Sequence, residues 1–133
     1  MKIMLDTNVL ISALVFGGKT RNVLLKLVGT NHKIYVSDYV MKEFSEKMYL
    51  KWPNKADKLL EVVHKMPFYF CESTEKLQGK LRDKKDIPVL SDALYHGIDV
   101  ILTGDKDFLE AELEKPIVFS VNMLDEFLEN EKL

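Results

Sequence analysis

Two acidic residues each follow an apolar run, which is where a buried strand would end. Asp6 comes directly after the apolar residues 3–5, and Asp105 comes just beyond residues 100–103. Near-continuous apolar runs are typical of parallel strands buried on both faces, and open α/β sheets bind ligands beyond the carboxyl ends of such strands. We therefore expect both carboxylates at one edge of a sheet. A turn or a helix N-cap is the alternative explanation for Asp6, because Asp favours both.

Two further acids belong to predicted helices. At about 100° per residue, Glu43 lies roughly 60° from Val40 and so on the core side of its helix. A charged residue is seldom buried there without a partner, and its alternative role is an exposed i,i+4 pair with Lys47. Asp86 projects onto the apolar face of the helix that it precedes, although a plain N-cap would explain it too. Asp92 falls outside that face and is expected to be a surface acid.

These acids suggest a metal-dependent reaction. Four carboxylates that converge without basic partners repel one another, and the usual resolution is protonation or a hard cation. Oxygen ligands without His or Cys favour Mg²⁺ or Mn²⁺ over zinc. Such an ion activates water and stabilises the attacking and leaving oxygens at phosphorus. The predicted chemistry is a metal-dependent in-line displacement at phosphorus, with Asp6, Glu43, Asp86 and Asp105 as the acids that hold the metal.

Strands and helices alternate along the chain, which predicts a three-layer α/β fold. Right-handed crossovers then give a mostly parallel sheet of about five strands, covered by helices on both faces. Thr20 is the predicted N-cap of the helix before the second strand, and the helix after that strand is predicted to end near Tyr49. The strands are predicted at residues 2–5, 33–36, 68–70, 100–103 and 117–119.

Composition limits the possible functions. The chain has 133 residues, which fits a single domain spanning residues 1–133. Its net charge of −2 argues against a generic DNA-binding module but not against a nucleic-acid enzyme. Cys71 is the only cysteine, so it is expected to pack rather than to form a disulfide or a zinc site. No apolar stretch approaches the roughly 20 residues of a membrane span and no signal-peptide pattern is present, so we expect a cytoplasmic protein.

A basic segment precedes Asp86. Residues 72–85 are polar and mixed in charge, and we expect a loop with at most one helical turn. A solvated connector is the simple explanation, whereas the functional one is a rim that binds phosphates beside the acidic site. The chain has few arginines, so recognition would rely mainly on lysine, which acts as a point charge. The candidate phosphate-binding residues are Arg82, Lys84, Lys85 and Lys106.

The chain resembles the PIN-domain nucleases and, within them, the VapC-like toxins of toxin–antitoxin pairs. The resemblance covers essentially the whole chain and is carried by four motifs, at residues 5–10, 37–44, 83–94 and 103–108. Each motif is short, and their order and separations together make the match specific. The resemblance implies a PIN-like fold, cleavage of single-stranded RNA that depends on Mg²⁺ or Mn²⁺, a homodimer, and a small antitoxin partner.

The resemblance also implies roles for individual residues. By motif position, the catalytic metal ligands would be Asp6, Glu43, Asp86 and Asp105, with Asp107 beside them. Asn8 and Thr103 match positions that orient the other groups in the family. In the third motif, the separation from the glycine that ends the helix favours Asp86 over its neighbours.

Two other functions compete with the nuclease. A haloacid-dehalogenase-like phosphatase also begins with an Asp after the first strand, but it needs a second Asp two residues later, where this chain has Asn8. A PIN-like domain without activity could instead bind RNA or protein. The complete set of acids argues against that module, because a scaffold has no reason to retain carboxylates that repel one another.

Overall fold

The structure is a computed structural model that describes residues 1–79, 81 and 84–131. A π-helical turn, Ser12–Phe16, continues the first helix, and a 3-10 turn, Lys84–Asp86, precedes the fifth. In chain order the regular elements of the described residues are β1 Lys2–Leu5, α1 Thr7–Ile11, α2 Gly18–Leu27, β2 Lys33–Ser37, α3 Asp38–Lys51, α4 Pro53–Lys65, β3 Tyr69–Cys71, α5 Ile87–Tyr95, β4 Val100–Leu102, α6 Lys106–Leu109, β5 Ile117–Phe119 and α7 Val121–Glu131.

The sheet is parallel throughout and has the strand order β3-β2-β1-β4-β5. Met4 of β1 pairs with Tyr35 of β2 on one side and with Ile101 of β4 on the other. The predicted parallel sheet of five strands is confirmed. The chain moves outward from β1 to β3 and then crosses back to β4, so the strand order reverses between β1 and β4. Crevices at such a reversal are where open α/β sheets bind ligands.

Helices cover both faces of the sheet, as predicted. Right-handed crossovers place α1 to α4 on one face and α5 and α6 on the other, and α7 returns to pack against α2. The core lies between these layers and includes Leu10, Phe44 and Leu102, which are fully buried. In the described part of the chain, no helix is both long enough and apolar enough to cross a membrane.

Local details differ from the predictions at element ends. Gly17, with φ 76°, precedes α2 and Thr20 lies inside the helix, so the predicted Thr20 cap is wrong. The Thr20 hydroxyl instead accepts a hydrogen bond from the Ser12 hydroxyl at 3.2 Å, because the π-helical turn brings the two together. The helix predicted to end near Tyr49 continues to Lys51, since nothing stops it before Pro53.

Candidate active site

Asp6 lies at the reversal between β1 and β4 and is held rigidly there. Its backbone N–H donates to the Leu102 carbonyl at 2.9 Å, which extends the pairing of the two strands. Its Oδ1 accepts the Thr7 N–H at 2.8 Å and its Oδ2 accepts the Thr103 hydroxyl at 2.7 Å. The side chain is buried, with 6% exposure. Asp6 therefore caps α1, as the simple explanation predicted, and also lies at the predicted ligand-binding edge.

The charge of Asp6 is disfavoured. Burial raises its pKa above the ordinary value, the hydrogen bonds from Thr103 and Thr7 oppose that rise, and the charges of Glu43 and Asp105 add to it. Three of the predicted catalytic acids therefore share one electrostatic neighbourhood. Buried carboxyl groups with raised pKa values and acidic neighbours are typical of functional sites.

Thr103 connects two of these acids. Its side chain is fully buried, and its hydroxyl donates to Asp6 while it accepts the Asp105 N–H at 3.0 Å. Asp105 in turn caps α6, because its Oδ1 accepts the Phe108 N–H at 3.2 Å. One buried hydroxyl thus fixes the carboxylate of Asp6 and the backbone of Asp105 relative to each other.

Helix α3 brings Glu43 and Lys47 to the same edge. Glu43 is half-buried, and the pair with Lys47 that would explain it as a surface acid is not formed. The Lys47 Nζ instead donates to the Asn8 Oδ1 at 3.4 Å, which joins α3 to the exposed second residue of α1. Sequence reasoning treated Lys47 only as a partner for Glu43 and so missed its position beside Asn8.

Asp86 and Asp107 complete the predicted acids. Asp86 is buried at the start of α5, and its side chain makes no capping hydrogen bond to that helix, so the simple N-cap explanation is wrong. Asp107 is half-buried within α6. Among residues 1–79, 81 and 84–131, no three His, Cys, Asp or Glu side chains lie close enough together to hold one metal ion. Asp6, Glu43 and Asp105 thus influence one another electrostatically without forming a closed ligand shell among the described residues.

Thr7 contributes a polar group that sequence reasoning did not single out. Its side chain is buried beside Asp6, and its hydroxyl has no hydrogen-bond partner among the described residues. Leaving a buried hydroxyl unpaired costs free energy. A threonine immediately after a strand-end acid was the signal available in the sequence.

The donor chemistry at this edge fits a hard divalent cation. Every candidate ligand is a carboxylate oxygen, which is the type that Mg²⁺ and Mn²⁺ prefer. A cation beside Asp6 would also offset the repulsion from Glu43 and Asp105 that raises its pKa.

Comparison with known proteins assigns the family. The family model described as PIN domain matches residues 2–107. The chain belongs to the PIN domain family. No curated protein sequence matches this PIN domain.

Solved structures with the same fold include toxin–antitoxin complexes. VapBC2 from Rickettsia felis, bound to a DNA fragment from its promoter, has 20% identity and a TM-score of 0.73 over 90% of this chain and 98% of that chain. VapBC-1 from nontypeable Haemophilus influenzae has 15% identity and a TM-score of 0.68 over 92% and 99%. VapC20 from Mycobacterium tuberculosis, a toxin that cleaves the sarcin-ricin loop, has 13% identity and a TM-score of 0.59 over 80% and 92%. At these identities the likeness establishes the fold alone.

Asp92 of this PIN domain is not the surface acid that was predicted. It is 1% exposed, and its carboxylate accepts the Ser73 hydroxyl and the Thr74 N–H, both at 2.7 Å. Next to it, the buried Ser91 hydroxyl accepts the Gln78 N–H at 2.7 Å. The projection failed because the polar segment after β3 covers the side of α5 that lies outside its apolar face.

The predicted basic rim is only partly described. Arg82 lies outside the residues that the structure describes. Lys84 and Lys85 are exposed on the turn that leads to Asp86. Lys106 is exposed on α6, and its Nζ lies 3.8 Å from a carboxylate oxygen of Glu110, a type of surface pair that contributes little to stability. The described lysines therefore lie exposed beside Asp86 and Asp105 in the sequence.

Proposed function

We propose that this PIN domain is an endoribonuclease that hydrolyses phosphodiester bonds of single-stranded RNA with Mg²⁺ or Mn²⁺. The observation that carries the proposal is the buried Asp6 at the β1–β4 reversal, whose charge is opposed by Glu43 and Asp105. Membership of the PIN domain family supports it. So does the shared fold with a solved toxin that cleaves the sarcin-ricin loop.

The proposed ligands are the acids at the carboxyl edge of the sheet. Asp6, Glu43 and Asp105 already influence one another electrostatically, and Asp86 and Asp107 are the further oxygen donors. When bound, the ion supplies positive charge to the phosphodiester and lowers the pKa of water. Thr103 and Asn8 are proposed as the groups that hold the neighbouring side chains in place.

The side chains of the protein position the reaction. In hydrolysis the oxygen of a water molecule bonds to phosphorus, the bond from phosphorus to one ribose oxygen breaks, and that oxygen leaves with a proton. The Thr103 hydroxyl and the Thr7 N–H fix both oxygens of Asp6, so this carboxylate needs no reorganisation as charge develops. Lys84, Lys85 and Lys106, with Arg82 by its place in the sequence, are proposed to bind RNA phosphates on either side.

We further propose that the nuclease is a cytoplasmic toxin, active as a homodimer and restrained by a small antitoxin. The support is the shared fold with the VapBC complexes and with FitAB bound to a DNA fragment, the latter at 19% identity and a TM-score of 0.67. Phe16 and Leu50 are 71% and 79% exposed, and the Phe16 ring packs edge-on against Trp52. Large exposed apolar side chains offer a surface that a protein partner can cover.

The test is cleavage of a single-stranded RNA oligonucleotide by the purified protein with Mg²⁺, with Mn²⁺ and with a chelator. Asp6→Asn is nearly isosteric and lacks the charge, so we expect loss of cleavage by about a hundredfold or more. Asp99→Asn is the matched control, because Asp99 is exposed and accepts the Lys2 N–H at the opposite end of β1.

Each outcome separates the candidate functions. Cleavage that needs metal and is lost only in Asp6→Asn supports the nuclease and its site. Cleavage that survives in Asp6→Asn contradicts the site. No cleavage, with no heat of metal binding in calorimetry, favours the inactive RNA- or protein-binding module. Metal binding without cleavage of any RNA tested contradicts the proposed substrate.

A further inference from the structure

Lys47 lies at the edge of the acidic site. It is half-buried on α3, one turn after Glu43, and its Nζ donates to the Asn8 Oδ1 at 3.4 Å. Asn8 is two residues after Asp6, at the start of α1, and α1 packs against α3. The ammonium group therefore lies at a solvent-exposed contact between α1 and α3, on the helices that follow Asp6 and carry Glu43.

The position of this charge differs from that of Lys65, the other helical lysine that follows a glutamate by four residues. On a helix, Glu followed by Lys four residues later is a favourable pair, and Lys65 forms such a pair with Glu61 at 2.8 Å. Lys47 has Glu43 in the same relation, yet within the described residues its ammonium forms no ion pair with any carboxylate. It donates instead to a neutral amide at the long distance of 3.4 Å.

An ammonium group has three N–H donors, and the contact to Asn8 engages one of them weakly. The others are available to an anion that enters between α1 and α3. Because the Asn8 Oδ1 is turned toward Lys47, the amide N–H₂ of Asn8 is directed away from it. One lysine and one amide thus offer N–H donors on α1 and α3, the helix that follows Asp6 and the helix that carries Glu43.

We propose that Lys47 binds a non-bridging oxygen of the phosphodiester that is cleaved, and that it also orients Asn8 for the same phosphate. This inference rests on the proposed nuclease function and adds a residue that recognises its substrate. A metal ion held by Asp6, Glu43 and Asp105 would offset part of the negative charge on the phosphate, and the Lys47 ammonium would offset another part. A fixed positive charge beside the reacting phosphate lowers the barrier because it needs no reorganisation.

The first experiment measures single-turnover cleavage of single-stranded RNA. Lys47→Met retains the apolar stem without the charge, and we expect its rate at saturating RNA to fall about tenfold or more. Lys47→Arg should recover part of the rate, because the positive charge returns with a different shape. Lys51→Met is the matched control on the exposed last residue of α3, and its rate should stay within about twofold of the parent.

The second experiment does not need cleavage. RNA binding is measured in the Asp6→Asn background as a function of salt concentration. Loss of one phosphate contact to a single strand should reduce the slope of log affinity against log salt by about 0.7. Lys47→Met should show that decrease and Lys51→Met should not. Calorimetry of Mn²⁺ binding to Lys47→Met alone should match the parent, since Lys47 is not a proposed ligand.

The outcomes separate this inference from the proposed function. If the parent cleaves RNA and Lys47→Met matches it in rate and salt slope, the role of Lys47 is wrong and the nuclease stands. If the rate falls together with weaker Mn²⁺ binding or a lower Tm, Lys47 is structural and the inference is overturned. If the parent neither binds nor cleaves RNA, the proposed function fails and the inference fails with it.

Discussion

Asp6 and Asp92 are both buried, at 6% and 1% exposure, and each accepts one hydroxyl group and one backbone N–H at 2.7–2.8 Å. Their surroundings differ. Two other carboxylates oppose the charge of Asp6 at the reversal of the sheet, whereas Asp92 holds the segment after β3 against α5. Burial and hydrogen bonding are nearly the same for the two residues, so neither property identifies a site. Asp6 differs from Asp92 in its position at a strand end and in its neighbours of like charge.

The hydrogen bonds of the two carboxylates have different roles, since those of Asp92 stabilise the fold and those of Asp6 orient its side chain. The hydrogen bonds of Asp92 are made to a segment that has little regular structure of its own, so the stability of that segment depends on them. The hydrogen bonds of Asp6 orient a group whose charge destabilises the fold at neutral pH. Natural proteins often retain such a group where function needs it.

Replacement of Asp92 should have the largest effect on stability. Asp92→Ala leaves the Ser73 hydroxyl and the Thr74 N–H without their acceptor, so we expect a loss of about 2–4 kcal/mol in the free energy of unfolding. Urea titration followed by circular dichroism measures it. Asp99→Ala, on the exposed surface, should cost less than about 1 kcal/mol. Equal losses in the two variants would show that Asp92 stabilises the fold no more than an exposed carboxylate does.

The sequence predicts those features of the fold and of the site that depend on local patterns. The apolar runs of β1 and β4 predict strands, and their alternation with helices predicts the parallel sheet. Asp6 and Asp105 follow from those strands, because parallel strands end at one edge. These inferences need only the identity of neighbouring residues and the geometry of the sheet.

The burial of Asp92 could not be predicted in the same way. Helical projection treats α5 as if one face met the core and the rest met solvent, whereas residues 72–79 cover a second side. That covering segment has no periodicity and is held by polar contacts distant in sequence. Lys47 is a similar case, because its contact with Asn8 joins two residues that are 39 positions apart in the sequence.

Replacement of Thr103 should affect catalysis more than folding. Thr103→Val removes the hydroxyl that donates to Asp6 and accepts from the Asp105 N–H. Groups that orient metal ligands typically change metal affinity or activity by about 10–100-fold, and we expect RNA cleavage to fall within that range. Thr103→Ser retains the hydroxyl and should remain close to the parent. The measurements are the cleavage rate and Mn²⁺ affinity; a serine variant as weak as the valine variant would contradict the role of this hydroxyl.

The raised pKa of Asp6 gives its charge a stability effect with a definite sign. The folded state holds this proton more tightly than the unfolded state, so the stability due to Asp6 is greatest in acid and is lost as pH rises through the raised pKa. In metal-free protein, the free energy of unfolding of Asp6→Asn relative to the parent should therefore rise between about pH 3 and pH 7, by about 1 kcal/mol, although an N–H₂ group replaces one of the two oxygens that accept hydrogen bonds.

The control for this effect is pH itself. At about pH 3, roughly one unit below the ordinary pKa of Asp at about 3.9, the stability of Asp6→Asn relative to the parent should be lowest, because the carboxyl group is then largely protonated in both states. Chemical denaturation at a series of pH values in the presence of a chelator measures the difference. An advantage that does not change with pH would mean that the charge of Asp6 is not its source.

The smallest effect concerns the single thiol. Burial, together with the charges of Asp92 and Asp38, raises the pKa of Cys71 to about 11. Alkylation by iodoacetamide should therefore be slow at pH 8 and should accelerate with pH up to that range, because the thiolate is the nucleophile. Asp38→Asn removes one of these charges at an exposed position without touching the contacts of Asp92. It should lower the pH midpoint of the alkylation rate by a few tenths of a pH unit, in keeping with a distant charge screened by water.

In Asp92→Asn the same thiol should react much faster if the segment after β3 opens, so Cys71 reports whether Asp92 acts through its charge or by holding the fold. A thiol that reacts equally in both variants would show that the segment stays closed without Asp92, and the structural role assigned to this carboxylate would be wrong.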